Sequence, residues 1–282
     1  MATVMIDLKR LGDVKAPSGF SDRVLAQVGI ADSYAKFETV LGPVYVAWNQ
    51  LGVSAAMRSK SAAEFEDWFR KDVGRQLMRV EPPHDLAAKI EDQLEGKRRM
   101  RFDLRGLTPF SQAVLRKTLE VPRGQVRPYG WIAREIGHPA AVRAVGTALA
   151  NNPIPYFIPC HRVIRTDGVI GNYGGGGPEA KAKILTLEGV QLKRLQTLAR
   201  SGLRYEGVRS TKIFCFPTCY HGRRVREENF VFFHDEAEAR SAGYRPCKDC
   251  RPAVANRAER RWRSPVRCAG ADGATGIGRR RN

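Results

Sequence analysis

The sequence predicts an α+β fold in three parts: a small N-terminal α/β unit, a helical middle domain with a helix-turn-helix, and a small C-terminal domain built on cysteines. Three observations predict it. Strand-like apolar runs fall within residues 1–104, helix-spaced apolar residues with Gly- or Pro-containing breaks fill 105–190, and four cysteines in two close pairs occupy 203–252.

In the first part, Pro17-Ser18-Gly19 precedes a short amphipathic pattern from Phe20 to Ile30, read as a helix. Phe37 to Met57 reads as a hairpin, with apolar runs Val44–Trp48 and Val53–Met57 separated by Asn49-Gln50-Leu51-Gly52. Ser61-Ala62-Ala63-Glu64 is a capping box that opens a helix through Phe65, Trp68 and Phe69. Pro82-Pro83 precedes a helix through Leu86, Ile90 and Leu94, and Arg101 to Leu104 reads as a final strand.

In the middle part, Thr108-Pro109 opens a helix through Val114, Leu115 and Leu119 that ends near Pro122-Arg123-Gly124. Two short helices, about Gly130–Ile136 and Ala140–Ala150, flank the turn Gly137-His138-Pro139, the outline of a helix-turn-helix. A proline-rich apolar segment then leads to Cys160-His161-Arg162-Val163, and a glycine-rich loop spans Gly171 to Gly177. No Lys-Ser or Lys-Thr follows that loop, so it is not a phosphate cradle; it reads as a pliable pocket wall. A helix from Pro178 to Leu187 closes the domain. Residues 191–202 read as a linker, and residues 253–282, with eight arginines against Glu259 and Asp272, as a disordered basic tail.

The formal charge of +19 is unevenly placed. Residues 1–100 carry 15 basic and 14 acidic side chains, residues 101–200 carry 15 and 6, and residues 201–282 carry 18 and 9. A field concentrated on the last two parts favours a polyanion, with nucleic acid foremost. No stretch resembles a membrane span and the N-terminus lacks a secretory core, so the expectation is a cytoplasmic protein whose six cysteines are not paired in disulfides.

Cys160 stands beside His161, with Arg162 and Arg165 close in sequence. A thiol is nucleophilic as a thiolate, which an imidazole can generate and nearby cations favour. Adjacent side chains on a strand point to opposite faces, so cooperation between the two requires a turn at Pro159-Cys160-His161. Glu188 is a candidate to orient the imidazole. A Cys-His pair alone also fits a buried inert cysteine or a cysteine hydrolase.

The surrounding string narrows this. Asn152-Pro153-Ile154-Pro155-Tyr156-Phe157-Ile158-Pro159-Cys160-His161-Arg162-Val163 resembles the active-site segment of the O6-alkylguanine-DNA alkyltransferases. The resemblance runs back through Arg123–Tyr129 and Ala141–Gly146 and forward through Gly171-Asn172-Tyr173 and Leu187-Glu188-Gly189, closely over about 104–190 and loosely over 37–104. It implies an irreversible, single-use transfer of an alkyl group from guanine in duplex DNA to Cys160, without a cofactor, by a monomer. It also implies residue roles. His161 is the base acting through a water, Glu188 its partner, and Asn152 the brace of the active-site turn. Tyr129 is the proton donor to the leaving guanine, and Arg143 the finger that fills the gap left by the flipped base. The helix pair is implied to enter the minor groove. Gly174 departs from relatives that carry a serine there, and the loop Gly174–Gly177 is about one residue longer, which bears on substrate range.

Cys215-Phe216-Pro217-Thr218-Cys219 and Cys247-Lys248-Asp249-Cys250 give four thiols in two short-spaced pairs with 27 residues between them, a pattern suited to tetrahedral zinc. Closed sites of this kind are commonly structural. Here Lys212–Cys219, Arg226-Glu227-Glu228-Asn229 and Ala242–Cys250 resemble the metal-binding repair domain of the Ada response proteins. That resemblance implies zinc held by Cys215, Cys219, Cys247 and Cys250, with Cys215 accepting a methyl group from a backbone phosphotriester and the zinc activating it. A zinc-dependent DNA-binding regulator of the alkylation response is the alternative. His221 and His234 are read as surface residues, and His84, His138 and Cys268 receive no role.

Overall fold

A computed structural model describes residues 24–25, 31–39, 42–81, 84–94 and 100–253. The helix expected over Phe20–Ile30 and the tail expected over 253–282 lie almost wholly outside the described residues. Among the described residues, no helix is long and apolar enough to cross a membrane.

The N-terminal unit is a four-stranded sheet. Strands β1 (Ala31–Thr39), β2 (Gly42–Asn49), β3 (Gly52–Met57) and β4 (Gln76–Arg79) lie in the order β3-β2-β1-β4, with β4 parallel to β1 and the other pairs antiparallel. The expected hairpin is β2–β3, with a register shift at Ala47/Trp48. Helix α1 (Ala62–Asp72) starts at Ser61, whose side chain accepts from Glu64 N at 3.2 Å, and buries Phe65 and Phe69 against Tyr34. Helix α2 (His84–Leu94) buries Ile90 in the main core.

The unit departs from the sequence reading in two places. Strand β1 begins at Ala31, ahead of the expected hairpin, and carries a buried polar knot. Asp32 accepts from Asn49 Nδ2 at 3.2 Å, from Ser54 Oγ and from Arg75 at 2.9 Å. The segment Arg101–Leu104 is a single bridge, Val53 to Phe102, and not a strand. It runs so close to β3 that a Cβ at Gly52 would meet Arg101 O at 2.2 Å. Asp103 joins the same knot through Arg75 and Arg105; burial pushes its carboxyl up, and the Arg105, Asn49 and Arg75 hydrogen bonds outweigh that and hold it well below the usual range.

The middle domain contains α3 (Pro109–Thr118), α4 (Tyr129–Glu135), α5 (Val142–Ala150) and α6 (Gly177–Leu187). Thr108 caps α3 by accepting from Ser111 N at 3.2 Å. The α4–α5 pair is the expected helix-turn-helix, with Gly137 at φ +85° in its turn. Between α3 and α4, β5 (Arg127–Pro128) pairs in parallel with β6 (Val163–Ile164), a two-residue ribbon behind the Cys160 turn.

Residues 191–202, expected as a linker, form helix α7 (Leu192–Arg200). Leu192, Leu195 and Leu198 recur at helical spacing, and Leu195 packs with Val126, Ile164, Leu185 and Val190 of the middle domain. The C-terminal domain follows as a second sheet, with β7 (Tyr205–Val208), β8 (Ile213–Cys215), β9 (Phe230–Phe233) and β10 (Arg245–Pro246) in the order β10-β8-β7-β9. It is completed by the short helix α8 (Glu236–Ser241). Its own core is Phe214, Phe233, Ala239, Tyr244 and Ala253.

Candidate active site and metal centre

Cys160 opens a short 3-10 turn, Cys160–Arg162, so the chain bends where a strand would have sent Cys160 and His161 to opposite faces. Asn152 fixes this bend. Its Nδ2 donates to Ile158 O at 3.2 Å and to Cys160 Sγ at 3.4 Å, while its Oδ1 accepts from Ile154 N at 3.0 Å. Asn152 thus spans the proline-rich segment and the sulfur with one amide.

His161 is buried, and its Nε2 lies 3.0 Å from Glu188 Oε1. Its Nδ1 is buried without a hydrogen-bond partner among the described residues. Burial lowers the imidazole pKa, opposed by the Glu188 hydrogen bond and charge. The Glu188 carboxylate also accepts from Arg162 Nε at 3.0 Å, Arg162 Nη2 at 2.7 Å and Gly124 N at 3.3 Å. Burial alone would raise its pKa; the His161 and Arg162 hydrogen bonds overcome this and bring it to about 2. The imidazole is therefore neutral and faces a permanent carboxylate.

The expected electrostatic support for the sulfur is corrected here. Arg162 is spent on Glu188 and Val121 O, and Arg165 pairs with Asp167 on the surface. The cation that acts on Cys160 is Lys181, which sequence reading missed. Lys181 is buried on the inner face of α6, one turn before the buried Leu185. Its Nζ donates to Val163 O at 2.6 Å and lies 5.9 Å from the Tyr129 ring centroid. Burial brings its pKa down to about 8, with Cys160 opposing. Burial also pushes the Cys160 thiol up, against the Asn152 hydrogen bond and the Lys181 charge. The resting sulfur is thus a thiol, and ionising it requires a base.

Tyr129, at the first turn of α4, completes the site. A Cβ at Gly171 would stand 3.7 Å from its hydroxyl, and burial followed by the Cys160 charge raises its pKa. Its hydroxyl therefore holds its proton at neutral pH. The glycine loop is pinned more firmly than a pliable wall: Tyr173 Oη donates to Pro155 O at 3.1 Å, and its ring meets His161 edge-on at 5.9 Å. A Cβ at Gly175 would strike the Tyr173 ring at 2.6 Å, so the loop needs glycine there. Arg143 is exposed near the start of α5, between exposed Val142 and Ala144.

In the C-terminal domain, Cys215, Cys219, Cys247 and Cys250 are all buried, and their sulfurs lie within 4.8 Å of one another. Four convergent thiols, paired by short loops, fit one tetrahedral zinc ion. His221 is half exposed and bound to Asp249, and His234 bonds Glu238 at 3.0 Å, so both lie outside the four-sulfur set.

Both site-bearing regions are similar to known proteins. Residues 109–190 match the family described as 6-O-methylguanine DNA methyltransferase, DNA binding domain, and residues 198–253 match the metal binding domain of Ada. The constitutive methylated-DNA–protein-cysteine methyltransferase of Bacillus subtilis is 33% identical over 165 residues, which is 57% of this chain and 97% of that protein. The rat methylated-DNA–protein-cysteine methyltransferase is 50% identical over 82 residues, 29% of this chain and 39% of that protein. A crystal structure of Mycobacterium tuberculosis OGT in complex with DNA aligns at 29% identity and a TM-score of 0.46, covering 58% of this chain and 98% of that one.

Proposed function

This chain belongs to the methylated-DNA–protein-cysteine methyltransferase family, and from that premise we propose a single-use DNA repair reaction at Cys160. The substrate is duplex DNA carrying an O6-alkylated guanine. The α4–α5 pair seats on the minor groove, and Arg143 occupies the gap as the damaged nucleotide leaves the stack, a displacement that costs a few kcal/mol. The observation that carries the reading is the chain of contacts Asn152–Cys160 and His161–Glu188 on one turn.

The steps follow from the groups present. The Cys160 proton passes through a water to His161 Nδ1, and Glu188 stabilises the imidazolium. The Cys160 sulfur attacks the alkyl carbon, so an S–C bond forms as the C–O6 bond breaks and its electron pair stays on guanine. Tyr129 delivers a proton to the departing base, and the proton held on His161 restores the tyrosine. The thioether product resists attack by thiol or water, so each molecule reacts once. Lys181 lowers the cost of the thiolate at this buried position.

In the C-terminal domain, Cys215, Cys219, Cys247 and Cys250 hold the zinc, which when bound keeps their sulfurs as thiolates. Cys215 is the proposed acceptor of a methyl group from a backbone phosphotriester, a second repair reaction independent of Cys160. The protein acts as a monomer in the cytoplasm on this reading.

The test is peptide mass mapping after exposure to duplex DNA carrying both lesions. One methyl on the Cys160 peptide and one on the Cys215 peptide are expected. Repeated turnover with an unmodified Cys160 would refute the single-use reaction.

A further inference from the structure

The four-cysteine centre draws all its ligands from the C-terminal domain but packs outside that domain's own core. The core of the C-terminal domain proper is built on Phe214, Phe233 and Tyr244, whereas the four cysteines belong to the same buried cluster as Trp131, Val121 and Cys160 of the middle domain. The centre therefore sits in the seam between the two.

The seam is densely bonded. Val126 N donates to Thr218 Oγ1 at 2.9 Å, and Thr218 sits next to Cys219. Trp131 Nε1 and Arg134 Nη2 donate to Arg251 O at 3.0 and 2.9 Å, and Arg251 follows Cys250 directly. The Arg251 side chain pairs with Glu120 at 3.1 Å and Glu135 at 3.0 Å, while Arg223 donates to Gly124 O at 3.1 Å.

At the middle of this seam is Arg127, in β5, only 3% exposed. Its guanidinium lies 5.7 Å from the Trp131 ring and 5.3 Å from the ring of Phe216, the residue after Cys215. Its hydrogen bonds go to two neutral oxygens, Val126 O at 2.8 Å and Gln125 Oε1 at 2.7 Å. Among the described residues it makes no ion pair with a carboxylate. With Cys250 it lines a cavity of about 50 Å³. A guanidinium cannot shed its proton and is costly to bury without an anion. Four thiolates around one divalent zinc carry a net charge of −2, and they are the anion this pocket offers.

We propose that the zinc centre is an interdomain centre: Arg127 of the catalytic domain is its counter-ion, and zinc occupancy fastens the C-terminal domain onto the catalytic domain. The proposal rests on the reading of the four cysteines as a zinc site. Without the metal the four sulfurs lose the ion that gathers them against Arg127, and the seam made by Val126–Thr218 and Trp131–Arg251 loosens. The partner of the centre is thus supplied by β5, two residues before Tyr129.

The experiment uses the full chain as wild type, Arg127→Gln and Arg127→Lys. Metal analysis first measures bound zinc. Zinc transfer to a colorimetric chelator then gives release rates, and hydrogen exchange is followed at Val126, Thr218 and Trp131 before and after the metal is stripped under reducing conditions. Arg127→Gln is expected to release zinc roughly tenfold faster or more, the scale of one charge-assisted contact, with Arg127→Lys in between. Stripping zinc from the wild type is expected to speed exchange at all three seam positions. Equal release rates for wild type and a folded Arg127→Gln protein would overturn the proposal. So would seam exchange that ignores the metal, a wild-type measurement that decides the matter even if the variant does not fold. A wild type that binds no zinc is a separate result, which removes the metal reading and this proposal with it.

Discussion

Replacing Glu188 by Gln keeps the shape of the side chain and removes the charge that faces His161 and Arg162. In the wild type these partners hold the carboxyl at about 2 instead of 4.5. At about 1.4 kcal/mol per pH unit, that difference is worth about 3 kcal/mol of native-state stability. The side chain is only 7% exposed, so solvent screening takes little of it away. Because the folded value lies below the unfolded one, the contribution is full above pH 4.5 and disappears as the pH falls towards 2. Denaturant unfolding of wild type and Glu188→Gln should therefore differ by about 3 kcal/mol at pH 7, and the two curves should converge between pH 4.5 and 2. Alkyl transfer should slow in the variant as well, since the imidazolium loses its stabiliser. A gap that stays constant down to pH 2, or no gap at pH 7, would refute the reasoning.

Cys160→Ala should abolish guanine repair while leaving methyl transfer to Cys215 and zinc content intact; joint loss of both transfers, read by mass mapping, would contradict two separate acceptors. Cys215→Ala should lower both zinc content and phosphotriester transfer, and an unchanged metal stoichiometry would count against ligation. Lys181→Met should slow transfer at neutral pH and move the rate profile to higher pH, because the buried thiol loses the cation that favours its ionised form; an unmoved profile would leave Lys181 with an anchoring role only, through Val163 O. Arg143→Ala should weaken repair of duplex DNA but spare reaction with the free O6-alkylated base, a comparison of single-turnover rates that separates base eversion from chemistry.

The sequence revealed elements where polarity followed the fold and hid them where it did not. The hairpin β2–β3 was legible because its apolar runs are interrupted by a turn sequence. Strand β1 was not, since Asp32, Ser33 and Lys36 break its pattern, and only the fold shows that Asp32 is satisfied by Asn49, Ser54 and Arg75. Helix α7 reads as a tether in sequence because its leucines are diluted by Lys193, Arg194 and Arg200; its apolar stripe becomes meaningful only against Val126 and Leu185. At the site, Cys160, His161 and Asn152 are close in sequence and could be read together. Lys181 and Arg127 act through burial, and nothing in the identity of a lysine on a helix or an arginine before a proline announces that it faces inward.

Helix α7 also fixes how the protein can work along DNA. With Leu195 bedded in the catalytic domain, the cysteine-rich domain is not on a free tether, and Cys215 and Cys160 are held at a set spacing. On the two-acceptor reading, lesions whose separation along DNA matches that spacing suit a single landing, and lesions at other separations call for two.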